Sequence, residues 1–413
     1  MRRVVVTGIG MVSPLGSNNN QIFKYLASNS SNDFIINKER INNSFDINKI
    51  PLIDKEIIDK TYSDIYYSNS TKYALYSSKL ALEDSKLIPN IISLKNNDNI
   101  GVSIGTGGIT SLNDIIVTHN LINDNKVRKI SPYFIPKILT NMASSNVSIK
   151  YKLNGPINSP STACASGLQS IGDAYNNIKY NQADIMVAGG TDSSIDLISI
   201  IGFNRLKALS VNNISKPFDK NRDGFILGEG STVLILEELN NALNRNANIY
   251  CEIVGYGIYS DAYHLTSPSP DGNGAINSMK LALRNANINA NDVNYINAHA
   301  TSTIIGDNIE AMAIDTVFNN NNNNNNNLYV SSLKGHIGHL LGAAGAIESA
   351  ITILSLKNNI LIPTFNLNEY DYIPKNFQHI MNKSLEINDL KYCMKNSFGF
   401  GGINTSIIFK KYT

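Results

Sequence analysis

The chain is poor in cysteine and in charge, and it lacks a long apolar run. Three cysteines among 413 residues, none in a Cys-x-x-Cys pair, argue against a disulfide framework or a thiolate zinc site and fit a reducing compartment. Charged residues make up 16%, against roughly a quarter in an ordinary soluble protein; asparagine fills much of the gap. With a net charge of +2, no global field recruits nucleic acid or an anionic membrane. The apolar stretches are too short or too interrupted to span a membrane. The opening "MRRVVVTGIG" runs into a strand pattern with no signal or transit peptide visible. The expectation is a soluble chain, cytoplasmic or recorded without its presequence.

What is present reads as α/β. Short apolar runs alternate with helical patterns, with candidate strands at Val4–Gly8, Asn99–Ile104, Ile185–Ala188, Val233–Glu237, Glu252–Gly257, Tyr295–Ala298 and Ser406–Phe409. After Cys164, the residues Leu168, Ile171, Tyr175 and Ile178 fall on one helical face. Another helix reads from about Leu340. A fresh strand-rich segment near Tyr250 divides the chain into halves 1–250 and 251–413. No repeat shows in residue identity, so any duplication is structural. The run Asn319–Asn327 is low-complexity and reads as a surface loop.

Chemistry concentrates around few residues. Cys251 and Cys393 edge strand-like runs and read as buried small hydrophobes. Cys164, in "SPSTACASGLQSIGDAY", sits among small residues at a helix start, where unpaired N–H groups and the helix dipole lower a thiol pKa. From this stretch alone, nucleophile and structural residue stand equally. His299 follows a strand in "NAHATSTIIGD"; Lys334, His336, His339 and Glu348 surround a helix start in "SSLKGHIGHLLGAAGAIE". Singly, each histidine reads as structural, and without carboxylate or thiolate ligands nearby His336 and His339 make a poor zinc pair. Together they offer a nucleophile and neutral imidazole donors for an oxyanion. The glycines of "NSFGFGGINTS" allow close backbone approach, with Phe398 and Phe400 as an aromatic gate; the alternative is an ordinary turn.

In order, "VVVTGIGMVSPLG", "STACASG", "PFDKNRDGFILGEG", "SDAYHLTSPSPDG", "NAHATST", "KGHIGHLLGAAGAIE" and "NSFGFGGIN" resemble the β-ketoacyl-[acyl-carrier-protein] synthases of dissociated fatty acid synthesis, the type I/II condensing enzymes. The resemblance runs nearly end to end. It implies a thiolase fold, two similar α/β halves in five αβαβα layers, and a homodimer. It implies that Cys164 accepts the acyl group, that His299 and His339 promote malonyl decarboxylation, that Lys334 lies beside them and that Glu348 anchors it. Phe400 then gates the site, its N–H joining that of Cys164 in the oxyanion hole. Arg128, Lys129 and Lys207 fall where the family docks its acidic carrier protein; their alternative is a solvated charge cluster. Gly108, Ile109 and Phe203 fall around the acyl pocket. Neither redox cofactor nor catalytic metal is implied.

Departures from the pattern carry expectations too. His336 stands where the family more often has an uncharged residue, placing a third imidazole near the site. Ala300 replaces a common glycine. The Asn, Lys and Ile excess suggests an AT-rich genome and, with plastid-like motifs, a plastid-type organelle such as an apicoplast, or a bacterial cytoplasm. Competing readings are a silent chain-length-factor-like partner, which would lack the cysteine, and a degradative thiolase, which would need a Cys-Gly pair where Met394 follows Cys393. An initiating synthase would use Cys-His-Asn. A related polyketide condensing enzyme and a Cys-His hydrolase complete the set.

Overall fold

The computed structural model describes residues 1–28, 55–88, 97–108, 110–319 and 328–413. Ile109 and all of the asparagine run beyond Asn319 lie outside the described residues. Each of the seven apolar runs falls on a strand, with Asn99 and Ala298 just outside theirs. In the first half these are β1 (Val4–Val12), β2 (Ile100–Thr106), β4 (Ile185–Asp192) and β5 (Gly230–Glu238), joined by the short β3 (Ile157–Asn158). In the second they are β6 (Cys251–Ser260), β7 (Tyr295–Asn297) and β10 (Ile403–Lys410), joined by β8 (Tyr329–Ser331) and β9 (Tyr392–Gly399), which the seven runs did not include. β1, β2, β4 and β5 are buried along their whole length. This is why they read as continuous apolar runs and not as alternating ones.

The duplication invisible in residue identity is explicit in the topology. The first half runs β3-β2-β4-β5-β1 and the second β8-β7-β9-β10-β6, with Gln378–His379 added beyond β8. In both, the second strand is parallel to its two neighbours and the remaining pairs are antiparallel. β1 and β6 join the halves antiparallel over Val4–Val6. Helices α1 (Asn69–Asp84) and α2 (Met142–Tyr151) cover the first half outside, and α4 (Asn273–Ala286) with α5 (Ile304–Val317) cover the second. Between the half-sheets lie α3 (Ser166–Lys179) and α6 (Ala344–Asn358), each packed on both. Five αβαβα layers result.

The apolar face anticipated on α3 is buried as Leu168, Ile171, Tyr175 and Ile178. The second helix starts at Ala344, later than its pattern suggests, because a tight turn at Leu341–Ala343 precedes it. The halves also share a packing device. A Cβ on Gly8 or Gly10 of β1 would lie 2.4 Å from Ala81 O or 2.0 Å from Ser77 O of α1; on Gly255 or Gly257 of β6, 2.2 Å from Ala282 O or 2.1 Å from Ser278 O of α4. Glycine lets the outer helix touch the strand backbone. Gly10→Ala and Gly257→Ala are therefore each expected to cost about 1–3 kcal/mol by overpacking. Gly202→Ala, in the exposed helix Leu197–Arg205 with nothing within 4 Å of the new Cβ, is expected to stabilise by up to about 1 kcal/mol. Thermal unfolding of the three variants checks the ranking.

Candidate active site

Cys164 lies in the turn Ala163–Ala165 at the N-terminus of α3. Ala163 adopts φ 49°, unusual for a residue with a Cβ, and the turn is pinned by its neighbours. Ser166 Oγ accepts from Thr162 N (2.8 Å) and donates to Ala163 O (2.7 Å), and Ser397 Oγ on β9 donates to Cys164 O (3.0 Å). Gly399 ends β9; a Cβ there would lie 2.5 Å from Thr162 O, so glycine brings the Phe400–Gly402 turn against the cysteine.

The two histidines arrive from the second half. His299 follows β7, its N–H and that of Ala300 donating to the two oxygens of Glu310 on α5 (2.8 and 2.7 Å). His339 precedes α6 and is gripped by the loop of "PFDKNRDGFILGEG": its N–H donates to Ile226 O (2.8 Å) and its carbonyl accepts from Gly228 N (2.9 Å). His339 Nε2 lies 3.0 Å from Cys164 Sγ. The two imidazoles stand 5.6 Å apart, nearly perpendicular, with Phe398 5.7 Å from His299 and Phe225 5.0 Å from His339. Neither Nδ1 has a hydrogen-bond partner among the described residues; with the Cys164 thiol protonated, its S–H donates to His339 Nε2, which leaves that ring's own proton on Nδ1.

Behind them is a buried ionic cluster. Lys334 Nζ donates to His299 O (2.5 Å) and to Glu348 Oε1 (2.6 Å). Lys395 Nζ lies 2.8 Å from Glu348 Oε2, outside directed hydrogen-bond geometry, and its protons go to the carbonyls of Asn297, Ala298 and Asn396. Burial first, then Lys334, hold both imidazoles well below the usual histidine range. Burial pushes the Cys164 thiol up to about 12, although Lys334 opposes it. This corrects the expectation of a lowered thiol: desolvation outweighs the helix start, and the resting pair is neutral.

Cys164, Phe203, Lys207, His299, His339, Phe398 and Phe400 share one cavity of about 360 Å³. Lys334 and Glu348 support it from behind. Lys207 is exposed at its rim, whereas Arg128 and Lys129 occupy an exposed turn outside its lining. Gly108 does not line it either; its positive φ of 108° serves a turn. Nor does His336 bring a third imidazole: its Nε2 meets Pro363 O (3.1 Å) and its ring stacks on Phe365, away from the cavity lining. Cys251 and Cys393 are fully buried, as small hydrophobes would be.

Sequence reasoning missed Glu310 and Lys395. Lys395 had a signal, a charge inside the apolar strand "YCMKNSF"; Glu310, on a helix of mixed polarity, had none.

The motif "Beta-ketoacyl synthase, N-terminal domain" matches residues 1–242, and "Beta-ketoacyl synthase, C-terminal domain" matches 250–368. The chain belongs to the β-ketoacyl synthase family. This synthase is 43% identical over its whole length to a Saccharomyces cerevisiae protein named 3-oxoacyl-[acyl-carrier-protein] synthase homolog, 99% of which is covered. It is 41% identical, over 99% of this chain and 93% of the relative, to the mitochondrial 3-oxoacyl-[acyl-carrier-protein] synthase of Arabidopsis thaliana. The crystal structure of a β-ketoacyl synthase from Burkholderia phymatum superposes with TM-score 0.85 at 31% identity, covering both chains fully. The synthase therefore has the thiolase-like ketosynthase fold.

Because the thiol is protonated at rest, alkylation of Cys164 by iodoacetamide is expected to accelerate with pH through and beyond 9. It should show no plateau near the ordinary thiol value of about 8.5. A plateau near neutrality would instead reveal a resting thiolate–imidazolium pair.

Proposed function

We propose that the protein is an elongating 3-oxoacyl-[acyl-carrier-protein] synthase of fatty acid synthesis, with Cys164 as nucleophile and His299 and His339 as the decarboxylating pair. The observation that carries this is the 3.0 Å contact of Cys164 Sγ with one neutral imidazole while a second faces the same cavity. As sulfur attacks an acyl thioester, its proton passes to His339 Nε2. The new C–S bond forms, the carrier's C–S bond breaks, and the carrier thiol leaves with that proton. The backbone N–H groups of Cys164 and Phe400 receive the tetrahedral oxyanion; losing one such donor costs about 3 kcal/mol.

Malonyl thioester then enters. Its carboxylate leaves as carbon dioxide, and the electron pair of the broken C–C bond becomes an enolate. Neutral His299 and His339 donate N–H to its oxygen, as imidazoles kept uncharged by their surroundings can. The enolate carbon attacks the acyl-Cys164 carbonyl, the C–S bond breaks, and a solvent proton restores the thiol. The product is two carbons longer.

Acyl carrier protein is the partner, approaching over Lys207 at the cavity rim with Arg128 and Lys129 further out. Phe398 and Phe400 act as the gate, and Phe203 bounds the acyl pocket. The halves meet near residue 250. Homodimerisation is supported by the outer strand β3, where Ile157 is 48% exposed, and by exposed Ile115, Ile135, Leu139 and Ile198. Light scattering should then report twice the chain mass. No described helix is long and apolar enough to cross a membrane. A plastid-type organelle or a bacterial cytoplasm stands beside the mitochondrion named for the Arabidopsis relative, and fractionation decides among them.

Intact-mass measurement after incubation with acyl-carrier protein should show one acyl adduct on wild type and none on Cys164→Ala. Added malonyl-carrier protein should discharge it as 3-oxoacyl product. An adduct that only hydrolyses, or folded protein with no adduct, overturns the reading.

A further inference from the structure

Lys395 is fully buried in the middle of β9, and neither the nucleophile nor the imidazoles touch it. Its ammonium sits in a cage of oxygens: Ala298 O at 3.1 Å, Asn297 O at 3.3 Å, Asn396 O, and Glu348 Oε2 at 2.8 Å. Three carbonyls account for all three ammonium protons, leaving the carboxylate as the balancing charge. Two of those carbonyls belong to the last residue of β7 and the one after it, immediately before His299. Glu348 in turn holds Lys334, whose Nζ grips the His299 carbonyl.

Resting on the reading above, we propose that the Lys395 ammonium is a built-in cation that positions His299 for malonyl decarboxylation. It does so directly, through the carbonyls of Asn297 and Ala298, and indirectly, by sharing Glu348 with Lys334. Lys395 is a positioning residue, with no contact to the reacting atoms. The charges support this role: Lys334 and Lys395 face Glu348 and Glu310, so the cluster is balanced. Without Lys395 it carries a net negative charge beside two imidazoles, where a malonyl carboxylate must also enter. The same oxygen cage, emptied by truncating the side chain, has the ligands of a monovalent-cation site: carbonyls and one carboxylate.

The test separates the half-reactions in folded, full-length protein. Acylation of Cys164 is followed by intact mass. Decarboxylation is followed as conversion of malonyl- to acetyl-carrier protein, in which carbon dioxide leaves and the enolate takes a proton. In Lys395→Met, decarboxylation should fall roughly tenfold to hundredfold, the range for losing an outer-shell orienting partner, while acylation falls less than about threefold. The acid limb of its decarboxylation profile should also move to higher pH, because removing a cation makes His299 and His339 easier to protonate. The other titratable and charged groups facing them, Lys334, Glu348 and Asp192 behind and Cys164, Lys207, Asp223, Asp261, Asp307 and Glu310 in the cavity lining, are unchanged in the variant.

In Lys395→Ala, ammonium or potassium chloride should restore decarboxylation, whereas N-methylglucamine chloride at equal ionic strength should not; wild type should respond to none. Unchanged decarboxylation in the Met variant, or a parallel loss of both half-reactions with no pH shift, overturns the proposal. If the Met variant does not fold, the Ala variant decides: cation-dependent activity supports the proposal and indifference to cations overturns it. A wild type that forms no acyl adduct removes the functional reading itself, and that outcome is visible before any variant is compared.

Discussion

Two helix starts meet at the centre of the molecule with almost nothing but backbone between them. A Cβ on Gly167 of α3 would lie 2.8 Å from Gly342 O and 3.0 Å from Ala346 N; on Gly345 of α6, 2.7 Å from Leu168 N. Close packing of this kind tolerates little adjustment. It sets the turn bearing Cys164 beside the turn bearing His339, although 175 residues separate them. The site exists because the two halves can approach this closely at their shared layer.

The halves have used equivalent places differently. Ala163 (φ 49°) leads into Cys164 and α3; Leu341 (φ 46°) leads into Gly342 and α6. Where the first turn presents a sulfur, the second presents a glycine whose N–H donates to Asp192 Oδ2 at 3.1 Å. Gly107 N, at the end of β2, also points to that oxygen at 3.3 Å, and Ser194 holds Asp192 Oδ1. A carboxylate thus closes the corner of the second turn, while its counterpart opens on a cavity. Repetition of the fold supplied two elbows, and side chains made one of them reactive.

Burial explains the electrostatics on both sides of the cavity. The same desolvation that raises the thiol keeps the imidazoles neutral, because removing water penalises whichever form is charged. A neutral thiol–imidazole pair stores no ion pair at rest and must move its proton as the substrate arrives. The charged cluster behind the imidazoles lies one layer back, where two lysines share a carboxylate and backbone carbonyls take the remaining protons. Burial even moves Lys395 down to about 8, with Glu348 opposing the shift. An unpaired ammonium at that depth would be far more costly.

Much of this was legible in the chain itself. Runs such as Val4–Gly8 and Val233–Glu237 read as strands because both faces of their sheets are covered, and the 3-4-3 spacing after Cys164 gave the buried face of α3. Motif order named the residues that converge: Cys164, His299, His339, Lys334 and Glu348. Three features were not legible. The sign of the thiol shift depends on the depth of burial, which local sequence does not encode. His336 looked like a site residue from its position three before His339, but the short helix Lys334–Ile337 aims it at Pro363. Lys395 acts through carbonyls 98 and 97 residues away, and Glu310 through amides 11 and 10 residues away. Sequence determined the elements and the chemical types available, because periodicity and turn chemistry are local. Tertiary structure decided protonation, the pairing of charges and the equivalence of the halves, because each depends on what distant segments exclude or supply.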